Sequence, residues 1–359
     1  MGLMFARLLQ KARADVQVYE WDTNEHTRIK GGTLDFEKGA GQKVIEKAGL
    51  LGEFYRYARP TSERIADIRG NIVTEHFPDI DALYDNPEID RNDLRMILYN
   101  SLHPGTVHWN RRFVSLEEQD EKFLLHFENG HIETADLVVG ANGIMSNVRP
   151  YLTDAVPQYT GTVGIQGEIL HPDEQCPNFK KLCGKGLFAA NGEKKFLVVQ
   201  PKADGSLVYY MAFRKPESWL KESGLDFKDS KQIRKFLNEL LYNWDDAYRE
   251  LFTATEEFAL LTLRKVPLVN WQPHKNITLI GDAAHGMPPF GGVGVTIGMF
   301  DALYLADNLT SEAFSDIPSA ISSYEEKMFT YALKAQQDTD FGEITILSSE
   351  DVAEILISN

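Results

Sequence analysis

Residues 281–298 read GDAAHGMPPFGGVGVTIG, and no other stretch restricts the fold as much. The run follows an apolar segment, Ile277-Thr278-Leu279-Ile280, that reads as a buried strand. It leads into Ile297-Gly298-Met299-Phe300-Asp301-Ala302-Leu303-Tyr304-Leu305-Ala306, which reads as a helix. A strand, an acidic turn, a Pro-Pro bend and a glycine cluster opening a helix make a site for an anion. The bare N–H groups and the dipole of a helix start favour phosphate there. Glycines let the backbone approach a ligand closely. Asp282 at the strand end is placed to accept a hydrogen bond from a ribose hydroxyl. The competing reading is a tight strand–helix turn with no ligand.

The chain has 359 residues, 43% hydrophobic and 25% charged, enough for one large domain or two interleaved ones. A net charge of −16 argues against nucleic acid and anionic membrane surfaces as partners, though not against a dinucleotide held locally. Cys176 and Cys183 read as free thiols. Seven apart and without a nearby His pair, they make no metal site, and none is expected. No stretch has the length of a transmembrane helix. Met1 to Ala6 lacks the Ser/Thr of a myristoylation site, and its apolar run is short for a signal-peptide core. The expectation is a soluble, cytoplasmic, monomeric protein.

Gly2 to Lys11 has helical apolar spacing, and Asp15 to Glu20 alternates like a strand ending in an acid. That is the second half of a dinucleotide-binding βαβ unit, with Gly2 as its third glycine and Glu20 beside the adenosine ribose. The preceding strand and its Gly-x-Gly are not in this sequence. Without them, two neighbouring strands are expected to carry unpaired buried backbone groups, each costing about 1–3 kcal/mol.

Further along, residues 28–42 read as a glycine-rich loop and 43–57 as a helix. Residues 90–103 read as a helix with Asp90 as N-cap. Hairpin strands are expected near 106–115, 122–128 and 131–134. Asp136 to Gly143 reads as a buried parallel strand ending in a turn. Alternating strands follow at 161–170, 195–200, 206–213 and 257–264, with a helix over 230–251 and a long helix over 317–337. The layout is a nucleotide domain over 1–157 and 265–316, a β-rich substrate domain over 158–264, and a bridging helix and tail over 317–359.

Gly281-Asp282-Ala283-Ala284-His285, Pro288-Pro289 and Gly292-x-Gly294 together resemble the second FAD motif of the class A flavin monooxygenases. These have the p-hydroxybenzoate hydroxylase-like fold, an α/β architecture with a Rossmann-like FAD domain. Within that family the chain is similar to the TetX-type tetracycline-inactivating monooxygenases. The likeness is carried by Arg28 with Gly31-Gly32-Thr33-Leu34-Asp35, by Asn86 to Arg95, by Thr134 to Val138 and by residues 281–290.

The resemblance implies bound FAD, NADPH or NADH as reductant, O₂, and hydroxylation of an aromatic or polyketide substrate. The cofactor carries the chemistry, so no catalytic side chain is expected. Glu20 would hold the adenosine ribose. Arg91, with Arg95 one turn on, would face phosphate or flavin. Asp282 would serve the ribityl or pyrophosphate. Gly281, Pro288, Pro289, Gly292, Val293, Gly294 and Thr296 would lie along the cofactor, with Asp35 on the flavin side and Arg28 toward the nicotinamide. Asn142-Gly143 stands at the family's Asp-Gly motif, though Asn-Gly also favours a plain turn. His285 reads as a packing or phosphate-side residue. Gln166 would contact substrate.

Three departures from the pattern stand out. The missing strand and Gly-x-Gly imply weak FAD binding or poor folding. Val293 and Thr296 replace a Gln and an Asn at the flavin edge, and Val293 has no donor there. In the pocket, Leu187 and Val208 replace an Arg and a His, and Tyr210 replaces a glycine. That implies a smaller, less polar cavity and puts tetracycline in doubt as substrate. The alternatives are a degenerate relative with impaired FAD binding, and a non-catalytic dinucleotide-binding partner or regulator.

Overall fold

The computed structural model describes residues 1–27, 31–120 and 122–348. In chain order the elements begin with α1 (Gly2–Lys11), β1 (Val18–Tyr19), β2 (Thr33–Asp35), α2 (Gly41–Lys47) and α3 (Leu51–Tyr57). Next come β3 (Glu63–Ala66), β4 (Ile72–His76), β5 (Glu88–Asp90), α4 (Arg91–Asn100), β6 (Val107–His108), β7 (Phe113–Gln119), β8 (Lys122–Phe127), β9 (Ile132–Ala135) and β10 (Val138–Gly140). The middle of the chain holds β11 (Gln158–Ile169), α5 (Pro172–Gln175), α6 (Pro177–Cys183), β12 (Leu187–Gly192), β13 (Lys195–Pro201) and β14 (Leu207–Arg214). The last elements are α7 (Trp219–Glu222), α8 (Ser230–Leu240), α9 (Asp246–Ala254), β15 (Phe258–Lys265), β16 (Ile277–Leu279), α10 (Asp282–His285), α11 (Gly294–Thr310) and α12 (Ile317–Ser348).

Several expected elements are corrected. The helix over 43–57 is two helices, because Gly49 takes φ +74° and turns the chain between them. The helix over 230–251 also divides: α8 ends at Leu240, and Asp245 caps α9 by accepting the Ala247 N–H. Trp244 lies in that connection. The strand near 106–115 separates into β6, parallel to β1, and β7, antiparallel to β8. Asp90 does stand at the N-cap of α4, but its carboxylate makes no cap bond. It accepts instead from Arg59 at 2.8 Å and from the Ala203 N–H at 3.1 Å.

Two parallel pairs, β1–β6 and β10–β16, carry the nucleotide-type half. No described strand joins one pair to the other. The other large element is a seven-stranded sheet in the order β15-β11-β14-β13-β12-β3-β4, antiparallel except where β12 meets β3. Its register defines two faces. Val163, Ile165, Leu197, Val199, Tyr209, Met211 and Phe213 point into one core, covered by Ile233 and Leu237 of α8 and by Tyr248, Leu251 and Phe252 of α9. The opposite face carries the row Ala189–Val198–Tyr210–Gln166–Ala259. A separate core gathers Met4, Phe5, Leu8 and Leu9 of α1 with Leu98, Leu279, Leu305 and Met328. Cys176 and Cys183 are free and buried, and burial pushes both thiols up to about 12.

Helix α12 runs eleven residues past the expected end and ties the two halves together. Glu343 accepts bonds from Thr160 and Thr162 of β11, and Gln336 donates to the Val266 carbonyl at 2.7 Å. Among the described residues no helix is long and apolar enough to cross a membrane.

Glu88, 3% exposed in β5, carries a measurable cost. Burial pushes its carboxyl up to about 7, against the downward pull of Arg59. An acid raised on folding favours the native state below its unfolded value, and that advantage is lost as pH rises from about 4.5 to about 7. Glu88→Gln should therefore match the wild type in stability near pH 4.5 and exceed it by on the order of 3 kcal/mol above pH 8. Urea unfolding at the two pH values checks this, and equal stabilities at both would contradict it.

Candidate functional site

The start of α1, the end of β10, the turn after β16 and the start of α11 meet at small residues. A Cβ on Gly2 would lie 3.5 Å from the Ala141 Cβ, and one on Gly298 would lie 3.3 Å from the Gly281 Cα. The Met1 side chain fills the space between Gly281 and Gly298, 2.8 Å from where either Cβ would be. Gly281 takes φ +60° and ψ −143°, a conformation open to glycine and costly for other residues. The turn buries Ala283, Ala284 and His285 and leaves Asp282 exposed.

No side chain caps α1, so its first amides are left for another acceptor. Burial lowers the pKa of the Met1 amino group; Asp282, Asp301 and Glu20 pull it up, and Arg91 pushes it down. Two acids named from the sequence, Glu20 and Asp282, and the cation Arg91 thus act on one point at the start of a helix. The Glu20 carboxylate also accepts the Trp21 and Asp22 N–H groups at 2.8 and 3.2 Å, which fixes the turn after β1.

Arg91 opens α4 and lies along the Gly31–Gly32 segment. Its backbone N–H donates to the Gly32 carbonyl at 3.2 Å, and a Cβ on Gly31 would sit 3.1 Å from Arg91 Cδ. Arg95 is placed differently from the expectation. Its guanidinium donates to the Glu25 carbonyl at 2.7 Å and to Asp22 at 3.2 Å, and lies over the Trp109 ring. It braces the loop after Glu20 rather than sharing a target with Arg91. Asp35 is exposed on β2, within 3.4 Å of the Asn86 amide. Arg28 lies outside the described residues.

Asn142 donates to Asn147 at 2.7 Å, and Gly143 takes φ +82°. Gly143, Gly292 and Gly294 have no neighbour within 4 Å of where a Cβ would be. Val293 is the N-cap of α11 and is 36% exposed, Thr296 is half-buried in the first turn, and Pro289 is exposed beside buried Pro288.

The substrate residues named from the sequence share the second face of the large sheet. Gln166 stands opposite Tyr210, and Val208 stands between Glu168 and Gln200. Leu187 alternates with core residue Phe188, which puts it on that face as well. Tyr210 and Gln200 close on Gly32, where a Cβ would lie 3.3 Å from the phenol oxygen and 2.2 Å from Gln200 Oε1. Burial pushes the Tyr210 phenol up, against the nearby Arg91 charge and the Gly32 backbone. Val208 is 1% exposed, so it is packed floor and not open lining. A cavity of about 580 Å³ opens at the β3–β4 edge beside Arg64 and Lys180, and none of the named site residues lines it.

Sequence reasoning missed Arg149, Asp301 and Tyr331. Arg149, 2% exposed, donates to the Ala283 carbonyl at 2.8 Å and the Ile144 carbonyl at 2.7 Å, which joins the Asn-Gly loop to α10. Asp301 and Tyr331 brace the same turn from α11 and α12. The available signal was Asp301 itself, an acid inside the apolar run Met299–Ala306.

A cation, two acids, uncapped amides and side-chain-free backbone suit a dinucleotide: phosphate at the amides and Arg91, ribose hydroxyls at the carboxylates, a ring along the glycines. Gly281→Ala forces a Cβ into this junction. It should lower stability by about 1–3 kcal/mol. A thermal melt checks the effect, and an unchanged midpoint would contradict the packing described.

The sequence matches the family model described as FAD binding domain over residues 1–338. It is similar to 3-amino-4-hydroxybenzoate 2-monooxygenase PtmB3 of Streptomyces platensis, 30% identical over 339 residues, which span 90% of this chain and 81% of that protein. The fold is similar to that of Klebsiella pneumoniae HpxO complexed with FAD and uric acid, with TM-score 0.83, 19% identity, and 99% of this chain and 88% of that chain covered. It is also similar to that of the tetracycline destructase Tet(55), with TM-score 0.78, 20% identity, and 100% and 91% covered.

Proposed function

The chain belongs to the FAD-binding-domain family of flavin-dependent monooxygenases, and from that premise we propose that it hydroxylates a small aromatic substrate, using FAD, O₂ and NADPH or NADH. The observations that carry this reading are the uncapped start of α1 packed against Gly281 and Gly298, and the charges of Asp282, Arg91 and Glu20 that act on its Met1 amino group. The first amides of α1, which no side chain caps, support this reading because such amides suit a phosphate. The alternatives of a degenerate relative or a regulator gain no specific support.

FAD, when bound, supplies the redox chemistry. In this reading Arg91 and the α1 amides hold its pyrophosphate, Glu20 its adenosine ribose and Asp282 its ribityl hydroxyls. The open glycines at 143, 292 and 294 leave room for the ring. Arg95 and Arg149 order the flanking loops. The sheet face with Gln166, Tyr210 and Leu187 presents the substrate and excludes water.

The likeness to a tetracycline destructase supports a polyketide as the wider class. The side chains favour something smaller. Tyr210 reaches Gly32, Val208 is packed over, and Leu187 offers no polar partner. A compact phenolic or heteroaromatic acid fits this surface better than a tetracycline. Tyr210→Gly should enlarge it: NADPH oxidation stimulated by a bulky polyketide should rise several-fold, while that stimulated by a hydroxybenzoate falls. The reverse pattern would place Tyr210 outside the substrate surface.

The cofactor assignment is checked by titrating purified protein with FAD and following flavin fluorescence. Arg91→Ala and Asp282→Ala should each weaken binding at least tenfold, about 1.4 kcal/mol apiece. Wild-type affinity in both variants would show that the site lies elsewhere.

A further inference from the structure

The turn after β16 hangs on one buried carboxylate that joins three parts of the chain. Asp301, in α11, is 0% exposed. Its Oδ2 accepts the Gly281 N–H at 2.6 Å and lies 2.7 Å from His285 Nε2. Its Oδ1 accepts the hydroxyl of Tyr331, from α12. A carboxylate so far from water is tolerable only when donors fill its lone pairs. Asp301 therefore needs both the turn and α12 in place.

The electrostatics agree with the geometry. Burial works against a charge on His285, yet Asp301, with Asp282 adding to it, raises the imidazole pKa overall. Tyr324 and Tyr331 of α12 and the Met1 amino group are the other ionisable groups facing Asp301, and burial keeps both phenols protonated. The Gly281 N–H is turned inward to Asp301 and is not available to a ligand. The bond holds Gly281 in its left-handed conformation, and that conformation points Asp282 outward.

We propose that Asp301 is the positioning residue of the cofactor turn, and that through Tyr331 it makes α12 part of the grip on the cofactor. The Tyr331–Asp301 contact and the ligand then share one coupling: the contact tightens the cofactor, and bound cofactor protects the contact to the same degree, whereas the docking of α12 on β11 lies outside this coupling. The inference rests on the reading that FAD is held at Gly281–Asp282.

Asp301→Asn removes the charge, and Tyr331→Phe removes one donor with little change of shape. Glu343→Gln is the control, because it weakens the docking of α12 on β11, far from the turn. FAD dissociation constants, thermal midpoints and hydrogen exchange of a peptide covering 279–285 in the ligand-free chain are measured for all four proteins. Asp301→Asn should weaken FAD binding at least tenfold and Tyr331→Phe three- to tenfold, both with faster exchange of the turn. Glu343→Gln should lower the midpoint while leaving affinity and exchange unchanged. In Asp301→Asn the His285 ring signal should titrate at lower pH than in the wild type.

Wild-type affinity in Asp301→Asn and Tyr331→Phe overturns the proposal. So does a loss in Glu343→Gln as large as in Tyr331→Phe. Should Asp301→Asn not fold, Tyr331→Phe against Glu343→Gln decides. Absence of FAD binding by the wild type would refute the cofactor reading instead, and exchange of the 279–285 peptide would still show whether Asp301 holds the turn.

Discussion

Gly281 is the pivot of the molecule. It has room for no side chain against Met1, it needs a backbone conformation that suits glycine, and its N–H is committed to Asp301. From it β16 leads back into the parallel pair with β10, α10 buries its alanines, and Asp282 faces outward. Helices α1, α11 and α12 pack around this one turn. Their packing buries the Met1 amino group within the fields of Asp282, Arg91, Asp301 and Glu20.

The large sheet solves a different problem with the same economy of position. Its two faces follow from strict alternation along β11, β13 and β14. One face is closed by α8 and α9 into its own core. The other is left for the nucleotide half, joined to it where Gln200 and Tyr210 close on Gly32 and where Glu343 of α12 meets β11. Two cores with a few polar ties between them meet along this face. That arrangement suits a reaction needing one rigid grip for the cofactor and a variable surface for the substrate.

Much of this was legible in the sequence. Alternating and β-branched or aromatic apolar runs placed β11, β13, β14 and β15 within a few residues. The GDAAH–Pro-Pro–Gly run placed the turn and the family. What stayed hidden has physical reasons. β3 and β4 carry mostly polar, exposed residues, and β12 reads LFAANG, with too few large side chains to show a period. Gly49 and the 241–245 connection break runs whose apolar spacing looks continuous. Arg95 shares a helix turn with Arg91 in sequence but is drawn to Asp22 by a loop that no local pattern reveals. Val208 has the expected face, yet packing covers it. Asp301 and Tyr331 are thirty residues apart, and only tertiary contact unites them.

The account stands on a dinucleotide seated between the start of α1 and the Gly281 turn. Titrating the purified chain with FAD tests this most directly, with flavin absorbance and fluorescence read against protein concentration. The account predicts saturation at one FAD per chain, and loss of that saturation in Asp282→Ala. A wild-type chain that shows no saturable flavin binding while folded by its circular dichroism and thermal melt would contradict it.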